Sequence, residues 1–131
     1  MAPDAARPGH VLIVEDNALV ASAMRILLEN AGHAVTEAGS IAAAVEAVQA
    51  ASGVPDVALL DLTLPDGDGI EVLARLRAVG RAPRVAVAVT GRDEPEVRAR
   101  CLSAGCTDVL LKPVPSRELP RLVAGWLGER D

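Results

Sequence analysis

The chain has 131 residues, a formal net charge of −5 and a composition that is half apolar and about a quarter charged, which describes one ordinary domain able to bury a single core without staples. The acidic balance excludes a nucleic-acid surface dominated by basic residues, so direct binding to nucleic acid is not expected. No run approaches the roughly 18 uninterrupted apolar residues of a membrane span, and the opening MAPDAARPG lacks the apolar stretch of a signal peptide. Two cysteines, Cys101 and Cys106, match neither a disulfide framework nor a zinc spacing, which points to a reducing cytoplasm.

Residues 1–8 read as a disordered lead-in beginning at a native Met1, and residues 9–131 as one domain. HVLIV (10–14) is a β-branched run, followed from Asn17 by a segment that sets Val20, Ala23, Met24, Leu27 and Ala31 on one helical face. Gly32 stops that helix, HAVTEA (33–38) is a second strand, and Ser40 caps the Ala-rich helix SIAAAVEAVQA. VALLDL (57–62) is the third and most apolar strand. GIEVLARLRAVG then places Val72, Leu73, Leu76 and Val79 on one face, and RVAVAVT (84–90) is the fourth strand. EPEVRARCLSAG is helical, DVLLK (108–112) is the fifth strand, and the last helix carries Leu119, Leu122, Val123, Trp126 and Leu127 along one stripe. With Ser116 as its N-cap, Pro120 falls in the first turn, where amides lack intrahelical partners. With no Phe or Tyr and one Trp in the chain, Ala, Val and Leu must fill the core.

Five βα units with nearly continuous apolar strands imply an α/β doubly wound five-stranded parallel sheet covered on both faces. Ligands of such folds sit beyond the carboxyl ends of the strands. Glu15 and Asp16 end the first strand, Asp61 the third, Thr90 the fourth and Lys112 the fifth, so all share one rim. Asp66 and Asp68 fall beyond it, in the turn that launches the third helix. Converging carboxylates repel one another and require a cation. Magnesium suits an all-oxygen cluster that also meets a phosphate. Twelve of the thirteen basic residues are arginine, and the single lysine, Lys112, supplies the compact point charge suited to a phosphoryl oxygen. Each residue alone has a plainer reading: Asp61, or the Glu15-Asp16-Asn17 run, as a helix cap, and Thr90 as a turn residue. Together on one rim they point to a site.

VLIVEDN, LLDLTLPDGDG, VAVT and AGCTDVLLKP, in this order and spacing, resemble the signature of CheY-like response-regulator receiver domains over residues 10–129. The resemblance implies a flavodoxin-like (βα)5 fold with strand order 2-1-3-4-5. It makes Asp61 the phosphoacceptor, taking a phosphoryl group from the phosphohistidine of a sensor histidine kinase or phosphotransfer protein. Mg2+ would be held by Asp16, Asp61, the backbone carbonyl of Thr63 and, through water, Glu15. Thr90, the Gly91 N–H and Lys112 would bind the phosphoryl group, and Lys112-Pro113 would be cis. Such a domain is not an enzyme in the usual sense, since it catalyses only its own phosphorylation and dephosphorylation. The switch would involve Thr90 and the position of Val109, where many family members carry Tyr or Phe, so output here is expected to rely on backbone movement between Thr90 and Arg98. Ala104 and Leu122 stand at two positions that are charged in receivers dimerising through the fourth helix, fifth strand and fifth helix, which argues against that dimer. Thr63 and Arg92 occupy the positions that tune dephosphorylation.

His10 and His33 precede strands and so belong at the end of the sheet opposite the site. Cys101 shares a stripe with Val97 and Ala104 and is expected in the core. A haloacid-dehalogenase-type phosphatase would need a second Asp where Thr63 stands, and a calcium loop of EF-hand type would need an oxygen ligand where Ile70 stands. The alternative left standing is a receiver-fold module that binds proteins with little or no phosphorylation. The chain reads either as a single-domain regulator or as the receiver of a longer one, acting on an output partner or a fused output domain.

Overall fold

The computed structural model describes residues 9–51 and 53–128; the lead-in expected over residues 1–8 lies outside them. The chain order is β1 (His10–Val14), α1 (Ala18–Asn30), β2 (Ala34–Ala38), α2 (Ile41–Ala50), β3 (Val57–Asp61), β4 (Thr63–Leu64), β5 (Gly67–Asp68), α3 (Ile70–Ala78), β6 (Val85–Thr90), α4 (Pro95–Ser103), β7 (Asp108–Leu111) and α5 (Leu119–Gly128). A parallel sheet runs β2-β1-β3-β6-β7. β4 and β5 form a separate antiparallel hairpin, whose two-residue strands are too short to leave a period in the sequence. With the hairpin set aside, the five sheet strands take the expected order 2-1-3-4-5.

The side-chain alternation of the strands divides the core in two. Leu12, Val14, Ala58, Leu60, Ala86, Ala88 and Val109 face α2, α3 and α4, while Val11, Ile13, Val57, Leu59, Val85, Val87 and Val89 face α1 and α5. Central strands β3 and β6 are buried along their whole length, which is why they read as unbroken apolar runs. Alanine holds core positions at Ala44, Ala58, Ala86 and Ala88, as the scarcity of aromatics requires.

Three expected details differ. The stripe of α1 that enters the core is Ala21, Met24 and Leu28; Val20 and Ala23 are exposed instead, because the sheet meets the helix one residue further round than its apolar face suggests. Val79 is exposed because α3 ends at Ala78 and the chain leaves the helical path there. Ser116 is not the cap of α5. The Pro115 carbonyl accepts from the Glu118 and Leu119 amides at 3.0 and 3.2 Å, forming a turn that delays the helix to Leu119 while keeping Pro120 in its first turn. Ser40 does cap α2, accepting from the Ala43 N–H at 3.0 Å.

Candidate functional site

β1 and β3 pair in parallel with Val14 beside Leu60, and β2 lies on the far side of β1. Strand order therefore reverses between β1 and β3, and the crevice opens at their carboxyl ends. Glu15 and Asp16 leave β1 there and Asp61 ends β3. Their carboxylate oxygens lie within 4.8 Å of one another, with Glu15 and Asp61 buried and Asp16 exposed. Lys112 follows edge strand β7, its N–H held at 2.8 Å by the Thr90 carbonyl. Its Nζ reaches Asp61 Oδ2 at 2.9 Å and Glu15 Oε1 at 3.4 Å. Lys112-Pro113 is cis, as expected. Thr90 is buried at the end of β6, and exposed Gly91 follows it.

The hydrogen bonds put the helix-capping work on residues other than Glu15, Asp16 and Asp61, while the cap within the Glu15-Asp16-Asn17 run falls on Asn17. Asn17, not an acid, caps α1: its Oδ1 accepts from the Leu19 and Val20 amides at 3.1 and 3.2 Å. Glu15 Oε2 takes the Asn17 N–H at 3.1 Å and keeps Oε1 toward the crevice. The first amide of α3, at Ile70, is bound by Asp68 Oδ1 at 3.0 Å, which leaves Asp61 free of any capping duty. Asp61 Oδ1 accepts the N–H of Thr63 at 3.0 Å and Oδ2 faces Lys112. Thr90 does serve a turn, its Oγ1 accepting the Arg92 N–H at 3.1 Å, but a hydroxyl that accepts still has its proton to donate.

Burial, above all, raises the pKa of Glu15; the Asn17 N–H opposes this, and the hydrogen bond and charge of Asp61 add to it. Burial works against the Lys112 ammonium too, but its bonds to Asp61 and Glu15 outweigh that and raise its pKa. The ammonium is thus firmly charged, while three carboxylates around it leave a formal deficit of two positive charges. Hard oxygen donors with that deficit fit one magnesium ion. Beside the cluster, Val20, Ala23, Met24, Leu27, Val114 and Leu119 line an open groove of about 580 Å³ that also touches Glu15 and Lys112.

Sequence reasoning missed the work of the other two aspartates. Asp66 caps α2 from a distance, Oδ1 accepting the Ile41 N–H at 2.9 Å and Oδ2 the Ala42 N–H at 3.1 Å, contacts some 25 residues away that leave no local signal. Asp68, in the turn that launches α3, binds the Ile70 N–H at 3.0 Å and pairs with Arg100 of α4.

The model of the response regulator receiver domain matches residues 11–124. The chain belongs to this receiver family. Over 110 residues the receiver is 38% identical to the KDP operon transcriptional regulatory protein KdpE of Escherichia coli, a match covering 84% of this chain and 47% of that protein. It is 34% identical over 109 residues to the transcriptional regulatory protein PhoP of the same organism, covering 83% and 48%. The chain therefore spans about half the length of these curated relatives. Among solved structures, the receiver domain of the sensor histidine kinase PA1611 from Pseudomonas aeruginosa, with a magnesium ion coordinated in its active-site cleft, is 29% identical with a TM-score of 0.79, covering 93% of this chain and 99% of that one.

Proposed function

We propose that this receiver accepts a phosphoryl group on Asp61 from the phosphohistidine of a sensor histidine kinase or phosphotransfer protein. The observation that carries the reading is Asp61 Oδ2 held 2.9 Å from the ammonium of the chain's only lysine, inside an acidic cluster at the strand-order reversal. A carboxylate oxygen of Asp61 attacks phosphorus in line as the P–N bond breaks, and the imidazole departs taking up a proton. Magnesium, held by Asp16, Asp61, the Thr63 carbonyl and, through water, Glu15, would supply charge neutralisation for the equatorial oxygens. Lys112 moves from Asp61 Oδ2 onto a phosphoryl oxygen, and the Thr90 hydroxyl and Gly91 N–H donate to the others.

These three donors match the energy a switch requires. Carrying a 1:99 equilibrium to 99:1 takes about 5.5 kcal/mol, and two or three hydrogen bonds to a charged group, at roughly 1.5–3 kcal/mol each, supply it. Thr90 opens the segment leading to α4, and Val109 is buried with Val97 and Cys101 of that helix. Phosphorylation is read out there by backbone movement, without the aromatic rotation for which Val109 offers no ring. On this reading the receiver works in the cytoplasm, catalyses only its own phosphorylation and dephosphorylation, and acts on an output partner or a fused output domain. No helix among the described residues is long and apolar enough to cross a membrane. The test is intact-mass measurement after incubation with magnesium and acetyl phosphate. A single phosphoryl adduct that does not form when EDTA is present during the incubation, nor in Asp61→Asn, is expected; no adduct at all would favour the protein-binding module instead.

A further inference from the structure

We infer that Asp66 is a positioning residue for the metal and phosphoryl site, acting through the β4–β5 hairpin that follows the phosphoacceptor; this rests on the phosphoacceptor reading above. The hairpin carries Thr63, whose N–H is bound to Asp61 Oδ1 and whose carbonyl that reading assigns to magnesium. It has only two pairs, Thr63 with Asp68 and Leu64 with Gly67, and a ladder that short has little stability of its own. Its shape must therefore come from what holds it at either end.

The base is held by Asp68, bound to the Ile70 N–H and to Arg100 of α4. The tip, Pro65-Asp66, is held by the two bonds from Asp66 to the Ile41 and Ala42 amides. Gly67 packs against the same helix end so closely that a Cβ there would stand 3.0 Å from Ile41 Cδ1. For α2 the arrangement is a supplement, since Ser40 already caps it through the Ala43 N–H. For the hairpin, the contact is what fixes its tip. Backbone hydrogen bonds from Ile41 and Ala42 also hold the Asp66 carboxyl below the usual carboxylate range, so the anchor is fully ionised near neutral pH.

Releasing the tip leaves the Thr63 carbonyl held only by Asp61 and by its pairing with Asp68 at the base of the hairpin, and weakening the groups that hold a metal ligand in place typically costs about tenfold or more in affinity. Two variants separate anchoring of the hairpin from capping of the helix. Asp66→Ala removes the anchor, whereas Ser40→Ala weakens the N-terminus of α2 and leaves the hairpin contacts in place. Magnesium affinity is read from the amide NMR shifts of Thr63 and Gly67 on titration with MgCl2, and hydrogen exchange of the same amides is followed in metal-free protein. Asp66→Ala is expected to weaken magnesium by about tenfold and to speed exchange at Thr63 and Gly67, with Ser40→Ala close to wild type in both. Equal magnesium affinity in Asp66→Ala and wild type, or an equal loss in Ser40→Ala, would overturn the inference. A wild-type receiver that bound no magnesium would instead overturn the phosphoacceptor reading beneath it.

Discussion

Gly69 is where the fold and the site constrain each other most tightly, and Gly69→Ala tests that directly. Its backbone, at φ −58° and ψ −22°, is ordinary helical geometry that alanine adopts freely. Viewed locally the substitution should stabilise, by roughly 0.4–1 kcal/mol through the unfolded chain. The three-dimensional surroundings reverse the sign. A Cβ at Gly69 would lie 1.9 Å from the carbonyl oxygen of Asp61 and 2.8 Å from its carbonyl carbon, where Cβ contacts essentially never fall below 3.0 Å. Both obstacles are backbone, so the start of α3 and the end of β3 must part by about 1 Å. Overpacking of this kind costs roughly 1–3 kcal/mol or more, leaving a net loss of about 2 kcal/mol. Because the displaced atoms belong to the phosphoacceptor, its phosphorylation should slow by up to about a hundredfold, the scale of a 1 Å misplacement. Urea unfolding and the rate of adduct formation from acetyl phosphate read the two effects. Gly125→Ala, on the exposed face of α5 with open space around it, is the control and should stabilise by about 0.5–1 kcal/mol. A Gly69→Ala protein with the stability and rate of wild type would refute the reasoning.

Replacing Lys112 by Met removes the ammonium lying between Glu15 and Asp61; magnesium should bind more tightly by titration, while adduct formation falls by about two orders of magnitude, as for loss of one donor to the developing charge, and weakened magnesium binding would contradict the electrostatic account. His33 is buried, and its Nδ1 accepts the Gly9 N–H at 3.1 Å. Burial holds its pKa below the ordinary 6.5, with Asp56 only partly opposing. The unfolded chain thus binds the extra proton first: the stability contributed by neutral His33 is complete above 6.5 and is lost as pH falls from there toward the folded pKa. Thermal unfolding followed over that range should show the loss in wild type and a flatter profile in His33→Gln. The Cys106 thiol, pushed up to about 11 chiefly by burial, should resist a thiol reagent at pH 8 until the protein unfolds; rapid labelling of the native protein would place it on the surface.

The order of elements was legible because burial on both faces writes itself into the central strands as unbroken apolar runs, and because the rim residues come at strand ends that those runs delimit. Glu15, Asp16, Asp61, Thr90 and Lys112 all stand where that pattern puts them. The stripe of α1 was misjudged for the same physical reason that made it conspicuous: Val20 and Ala23 are apolar without facing the sheet, and line the groove beside the site. The cap of α5 was misjudged because a backbone carbonyl, at Pro115, does what a serine side chain was expected to do. The role of Asp66 was invisible for a different reason. Its partners belong to α2, and only the folded chain brings the turn after the phosphoacceptor against that helix end.

Borohydride reduction of the acetyl-phosphate-treated protein, followed by peptide mapping, asks directly which aspartate carries the phosphoryl group. Reductive conversion is expected at Asp61 alone, with Asp16, Asp66 and Asp68 unmodified. Conversion at any of those three with Asp61 untouched would contradict the phosphoacceptor reading.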